Sequence, residues 1–463
     1  MGGCSVTLQN NISTDMINPA HEQQMDCNKS EFKSNNQMPT QQEMKQNTQV
    51  NLCQQLFSKY QPVKTEMFPG VFWVGVNDWA IRKFHGYNTD KGSSYNSFLL
   101  MDEKPTLIDT VKNPFSEEFI DNLKSIIELP MIKYIIMNHS EPDHSSALPV
   151  LYSKTPQATI VTNIKCKENL LIIYPELSLL NPKWLVVDTK SQLNIGKRTL
   201  TFVPVPMIYW PCNMFTYCKE DNVLFSNDGF GQHIASAERW ADQLKLDTVV
   251  RLMMEYNANI LGHLPAMLKN ILNTVNKMNV KHIFTAHGVC WRGESLTTLL
   301  EEYSRFANQT YRKKVTVIFD SMYGSTARAA LAFSEGVRST GASVELVDLK
   351  SCSLTTVALH MYDSACFAVG SPTLNNTMMP FVERALAYCR GLKLMAGKPC
   401  FLFGAYGWAG TQSANDVTEA VTRGGAQVEG AVFQWKLQVN EDILGKLYEQ
   451  GTMLGQKALD TGK

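Results

Sequence analysis

Met137-Asn138-His139-Ser140-Glu141-Pro142-Asp143-His144 places four potential metal ligands within six residues. It follows the apolar run 132–136, which reads as a short buried strand. Pro142 should keep these ligands off a regular helix. The pattern therefore differs from His-Glu-x-x-His, whose histidines share one helix face. A loop at a strand end can instead aim neighbouring ligands at two adjacent ions. Imidazole with several carboxylates moves preference from zinc towards iron or manganese, with geometry deciding. Alone, the cluster also reads as a polar surface loop. Asp228 and His287 stand just after two further expected strands, 222–226 and 281–286, where a rigid sheet holds chemistry-bearing loops. Three such coincidences favour a shared metal site.

A second loop, Asp320-Ser321-Met322-Tyr323-Gly324-Ser325-Thr326, lies between an expected strand and helix. Its backbone N–H groups and the hydroxyls of Ser321, Ser325 and Thr326 can surround one phosphate at the positive helix end. No Lys stands where a Walker A loop requires one, so a monophosphate cofactor fits better than a nucleoside triphosphate. Ser371-Pro372-Thr373-Leu374-Asn375-Asn376 and Ala405-Tyr406-Gly407-Trp408-Ala409-Gly410 should flank the same crevice and offer rings and backbone donors to a flat heterocycle. A hydroxyl-rich turn alone is weak evidence, whereas three correctly ordered loops carry weight.

The elements that must position these groups follow from length and pattern. With 463 residues, two domains are expected. The formal charge is zero, which gives no reason to propose nucleic acid or an anionic membrane as partner. No apolar run has the length of a membrane span, and no secretory h-region is present. Eleven cysteines without a C-x-x-C pair suit a reducing cytosol and exclude an appended zinc ribbon or four-cysteine iron site. An external electron donor must then be a separate molecule.

Residues 1–55 are rich in Gln, Asn, Met and Ser and read as a disordered extension. The start Met1-Gly2-Gly3-Cys4-Ser5 is similar to acylated N-termini, but Val6 departs from the myristoylation pattern, so an unmodified tail is expected. Within 56–311, strands are expected at 71–76, 95–101, 106–109, 159–162, 184–187, 200–206, 222–226 and 281–286. Helices are expected at 113–127, 165–174 and 296–306, with a pair over 246–278 broken near 262–265. Strands in clusters, then alternating with helices, suggest an αββα sandwich. From 312 to 463, strands at 315–319, 344–348, 364–369 and 400–403 alternate with helices, the pattern of a doubly wound parallel sheet.

From about residue 60 the chain resembles the flavodiiron proteins (A-type flavoproteins). These join a metallo-β-lactamase-like domain carrying two irons to a flavodoxin-like domain carrying FMN. The resemblance rests on His139-x-Glu141-x-Asp143-His144, Ser226-Asn227-Asp228, Ala286-His287-Gly288 and the loop 320–326. Phe84-His85-Gly86-Tyr87 and Gly92-Ser93-Ser94-Tyr95-Asn96-Ser97 also look like the family's early signature. Hydrolytic members of the wider fold usually have His at the position of Glu141, whereas the iron branch has Glu.

By this resemblance, His139 and Glu141 would bind one iron and Asp143 with His287 the other. Asp228 would bridge them, and His144 would complete the second site or stand beside it. His85 would be a nearby supporting group or a hydrogen-bonded core histidine, and His263 would be structural. One position departs from the family. Where its first iron takes another histidine from Pro-x-x-His-Trp-Pro, this chain has Pro206-Met207-Ile208-Tyr209-Trp210-Pro211, followed by Cys212. Tyr209 would bind as phenolate, or leave the position to water, or mark a weakly held iron. A retained but altered diiron site is the expectation.

The resemblance implies four-electron reduction of O2 to water, our expectation here, or reduction of NO to N2O. It also implies a head-to-tail homodimer. The rivals are a degenerate flavin-binding relative with an impaired metal site, motivated by Tyr209, and a zinc hydrolase of the same sandwich fold.

Overall fold

The computed structural model describes residues 64–408 and 410–463. The Gln/Asn-rich extension, the acylation-like start and Ala409 lie outside the described residues.

The first part of the chain builds two sheets. One has seven strands in the order Thr65–Phe68, Val71–Trp73, Phe98–Leu100, Thr106–Ile108, Tyr134–Ile136, Thr159–Thr162 and Lys183–Val186. The other has six: Gln192–Asn194, Thr199–Pro204, Met214–Cys218, Val223–Asn227, His282–Thr285 and Trp291–Arg292. Central strands read as unbroken apolar runs because both faces are buried. Side chains alternate across each strand. Ile108, Ile136, Val161, Phe225 and Phe284 meet between the sheets, while Leu107, Ile135, Ile160, Leu224 and Ile283 belong to a separate core shared with helices. Phe98 joins the sheets, 4.7 Å from Phe284 and 5.6 Å from Phe225 between ring centroids. Phe119, Leu123, Leu148 and Leu151 from Ser116–Lys124 and Leu148–Lys154, and Leu296, Leu299 and Tyr303 from Gly293–Ala307, pack in that helix-side core. The result is the expected αββα sandwich.

The last part forms a parallel sheet in the order Ser343–Asp348, Arg312–Phe319, Ser364–Gly370, Pro399–Tyr406 and Gln427–Val428, with Phe433–Lys436 also pairing Pro399–Tyr406. Phe333, Leu447, Leu454 and Ala458 from helices Ser325–Ser339 and Glu441–Thr461 pack with Val315, Val317 and Ala368. Residues of Leu354–Asp363, Pro380–Gly391 and Gln412–Arg423 pack with Ile318, Val369 and Leu402. Helices on both faces explain why the central strands, Ser364–Gly370, Pro399–Tyr406 and the later half of Arg312–Phe319, are largely apolar. The two parts meet through Phe306 and Tyr362, with centroids 4.8 Å apart, and through hydrogen bonds from Asn88 N to Thr355 Oγ1 at 2.7 Å and Tyr388 OH to Asn259 Oδ1 at 2.8 Å.

Several elements differ from expectation. The stretches 71–76 and 95–101 each break in two, because Val76–Asp78 and Ser93–Tyr95 leave the large sheet to pair with each other. Pro142 does not prevent helix formation. It starts the one-turn helix Pro142–Ser145 at a position where its missing N–H has no partner to lose. The helix Leu246–Tyr256 runs into a π-helical turn, Asn257–Leu261, before Pro265–Val275. Met214–Cys218, Phe433–Lys436 and the 21-residue helix Glu441–Thr461 were not anticipated.

Candidate functional site

Three loops at the ends of strands Tyr134–Ile136, Val223–Asn227 and His282–Thr285 bring His139, Glu141, Asp143, His144, Asp228 and His287 together, all buried. Two trios result, His139–Glu141–Asp228 and Asp143–His144–His287, each with its ligand atoms within 4.8 Å of one another. Asp228 belongs to both neighbourhoods. Its Oδ2 lies 3.5 Å from His139 Nε2, and its Oδ1 lies 3.0 Å from His144 Nε2 and 3.6 Å from His287 Nε2. Asp143 Oδ2 is 3.1 Å from His287 Nε2 and 3.3 Å from His144 Nε2.

Hydrogen bonds orient the rings. His287 Nδ1 donates to the Ser94 carbonyl at 2.7 Å, and His139 Nδ1 lies 3.1 Å from Cys212 Sγ. Such outer contacts fix which ring nitrogen faces the centre. Burial opposes charge on His139 and His144, yet acceptors prevail. Cys212 and Glu141 hold His139 well above the ordinary imidazole range, and Asp143 and Asp228 raise His144 to about 9. Burial likewise disfavours the Glu141 and Asp228 carboxylates, but the neighbouring imidazoles keep both below their usual range. Contact with Cys166 lowers the Cys212 thiol to about 4 against the opposing effect of burial, with His139 assisting.

The donor set suits cations. Both oxygens of Asp143 and Oδ2 of Asp228 are buried without a hydrogen-bond partner among the described residues. Burying carboxylates this way is costly unless positive charge faces them. A divalent ion in each trio would supply that charge and take the place of the protons that these acceptors hold on the histidines. The residues therefore fit a dinuclear metal centre.

Around this cluster, His85 is about half exposed and places Nε2 2.8 Å from Glu141 Oε1, so it is not a core histidine. The hydrogen bond to Glu141 raises its pKa despite partial burial. Tyr209 reaches the same carboxylate, with its hydroxyl 2.6 Å from each oxygen. A mouth of about 240 Å³, lined by Ile81, Lys83, Phe84, His85, Lys112, Glu141, Pro142 and Asp143, opens onto the cluster. His263 lies in the turn between the π-helical segment and Pro265–Val275, away from this mouth. Sequence reasoning missed His233, whose buried ring stands 4.7 Å from that of His287 and whose Nδ1 pairs with Ser93 Oγ at 2.7 Å. Its only signal was its place in the glycine-containing loop after Asp228.

In the parallel sheet, a crevice of about 430 Å³ opens at the strand ends. Ser321, Met322, Tyr323, Ser325, Thr326, Pro372, Thr373, Leu374, Asn375, Ala405, Tyr406, Gly407 and Trp408 line it as anticipated, joined by Leu437 and Gln438. Gly324, Asn376 and Gly410 do not line it. Gly324 takes φ +82° to cap the helix Ser325–Ser339, Asn376 sits exposed in the turn closed by Leu374 and Thr377, and the Gly410 carbonyl accepts from Thr373 Oγ1. The crevice combines a helix N-terminus and hydroxyls at one end with aromatic rings at its rim. A phosphate-bearing planar cofactor fits it.

Comparisons with known proteins agree with both halves. The family model described as ODP family beta lactamase matches residues 94–288, and the flavodoxin model matches 317–451. The crystal structure of the flavodiiron protein from Giardia intestinalis is 47% identical, covers 87% of this chain and 98% of that chain, and superposes with a TM-score of 0.84. The structure of rubredoxin oxygen:oxidoreductase from Desulfovibrio gigas is 31% identical, with 86% and 99% covered and a TM-score of 0.81. A protein of Moorella thermoacetica named nitric oxide reductase is 34% identical over 400 residues, 84% of this chain and 98% of its own length. With a lactamase-like sandwich gathering ligands for two irons and a flavodoxin-like sheet opening a crevice for FMN, the chain belongs to the flavodiiron proteins.

Proposed function

We propose that this protein is an oxidoreductase that reduces O2 to water with four electrons and four protons. The carrying observation is the pair of buried ligand trios that share Asp228. In this reading His139 and Glu141 would hold one iron, Asp143, His144 and His287 would hold the other, and Asp228 would serve both. In the crevice, Ser321, Ser325 and Thr326 would hold the FMN phosphate, and residues of the 373–375 and 406–408 loops would hold its ring. When bound, two irons and one flavin together supply the four electrons.

The protein's own groups set the conditions. Phe84 lines the mouth and packs its ring at a steep angle against His85 and His287. His85, half exposed and bonded to Glu141, holds a proton at Nε2 where solvent and cluster meet. The names of the relatives support two substrates, since one is a rubredoxin oxygen:oxidoreductase and another a nitric oxide reductase. Reduction of NO to N2O is therefore the second reading. A separate electron-donor protein, a head-to-tail homodimer and a cytoplasmic location complete the proposal. The described cysteines are unpaired, and among the described residues no helix is long and apolar enough to cross a membrane.

The test is anaerobic reduction of protein loaded with FMN and iron, followed by exposure to O2 or NO. O2 uptake without peroxide release is expected. Uptake of NO alone, with N2O formed, would favour the second reading, and uptake of neither gas would overturn the reductase assignment.

A further inference from the structure

The two trios are not equally ready for a metal ion. Neither oxygen of Asp143 has a hydrogen-bond partner among the described residues, although two imidazole nitrogens lie within 3.3 Å of Oδ2. That pocket already has its ligand atoms converging on an unsatisfied carboxylate. Glu141 is the opposite case. Its Oε1 faces Tyr209 OH at 2.6 Å and His85 Nε2 at 2.8 Å, and its Oε2 faces Tyr209 OH at 2.6 Å and His139 Nε2 at 3.2 Å. A 2.6 Å O–H···O contact is in the charge-assisted range.

Tyr209 is held there by its loop. Met207 N donates to Trp210 O at 2.9 Å, closing a tight turn with Tyr209 near its tip, and the Tyr209 ring rests beside those of His139 and His85. An ion entering the first pocket must compete with this hydroxyl for the Glu141 lone pairs. Breaking a hydrogen bond to a charged group lowers a binding constant about ten- to hundredfold.

We propose that the metal centre of this chain is asymmetric, with Tyr209 as the cause. The Asp143–His144–His287 pocket takes a divalent first-row cation first and tightly. The His139–Glu141–Asp228 pocket takes its ion only by displacing the Tyr209 hydroxyl, so that ion is exchangeable. This rests on the ligand assignment given under Proposed function. It makes Tyr209 a determinant of metal occupancy rather than a ligand.

The experiment uses full-length, FMN-loaded, metal-free protein titrated anaerobically with Co(II), followed by calorimetry and visible absorbance. Two phases are expected, with dissociation constants at least tenfold apart. Tyr209→Phe should tighten the weak phase by about tenfold and leave the tight one in place, whereas Asp143→Asn should remove the tight phase. Two equivalents of equal affinity in the unaltered protein would overturn the proposal. So would a weaker second phase in Tyr209→Phe, which would make the hydroxyl a ligand. If no Co(II) binds, or if Asp143→Asn and Glu141→Gln leave the isotherm unchanged, the underlying ligand assignment fails as well.

Discussion

Asp109 grips Asn138 twice, accepting the Asn138 backbone N–H on Oδ1 at 2.7 Å and its side-chain amide on Oδ2 at 3.0 Å. The same Oδ2 accepts from Asn227 Nδ2 at 3.3 Å. One buried carboxylate thus joins the loop that carries His139 to the strand end from which Asp228 projects. Replacing it by Ala leaves three donors unsatisfied in the interior. Asp109→Ala should cost on the order of 3–5 kcal/mol, and Asp109→Asn roughly 1–3 kcal/mol. Urea midpoints measure this, and bound metal per chain should fall in parallel. A stable variant with unchanged metal content would refute the bracing role.

The His287 loop depends on a glycine. Gly288 has φ +74°, and a Cβ there would stand 2.3 Å from the Gln232 carbonyl oxygen. Its N–H donates to Ser94 Oγ at 2.8 Å. Gly288→Ala combines left-handed strain with overpacking, for a cost on the order of 3 kcal/mol. Because His287 is the preceding residue, the tight Co(II) phase should weaken by more than tenfold. An unaltered isotherm would show that the loop adapts.

How far the sequence reaches can be judged from particular residues. Ile135 and Ile136 show why the strands were legible, since one faces the helices and the other the opposite sheet, leaving an apolar run. His139, Asp228 and His287 were legible for the same reason, because a polar residue after such a run stands at a sheet rim. Asp109 was read only as the end of a strand, since its partners come from loops distant in the chain. His233 meets His287 only through the fold. Phe433–Lys436 mixes apolar and polar residues in four positions, too short for periodicity to identify. Without that strand, Leu437 and Gln438 could not be assigned to the crevice.

The rim of that crevice offers a test that is separate from folding. Trp408 is 95% exposed while lining the crevice, so its ring packs against little of the protein. If it stacks on the flavin, Trp408→Ala should lose about 1 kcal/mol of binding, roughly fivefold in Kd, without a change in thermal midpoint. Quenching of FMN fluorescence on titration with apoprotein measures it. Equal affinity would place the ring away from the flavin.

Lys398 predicts a pH dependence far from either site. It is buried, its Nζ bonds the Met361 carbonyl, and it lies 4.1 Å from the centroid of the Tyr311 ring. Burial pulls its pKa down to about 7, even with Asp363 acting in the opposite direction. The unfolded chain keeps that proton up to about pH 10.4. Between these values the unfolded state binds more protons than the folded one, so this lysine makes stability rise with pH. Below pH 7 the folded chain carries a buried ammonium, at a cost on the order of 4 kcal/mol relative to pH 10.4. Lys398→Met cannot titrate and should lose that contribution to the slope. Urea midpoints at pH 7, 8 and 9 should climb more steeply for the unaltered protein than for the variant. Parallel curves would mean that Lys398 keeps an ordinary pKa in the folded chain.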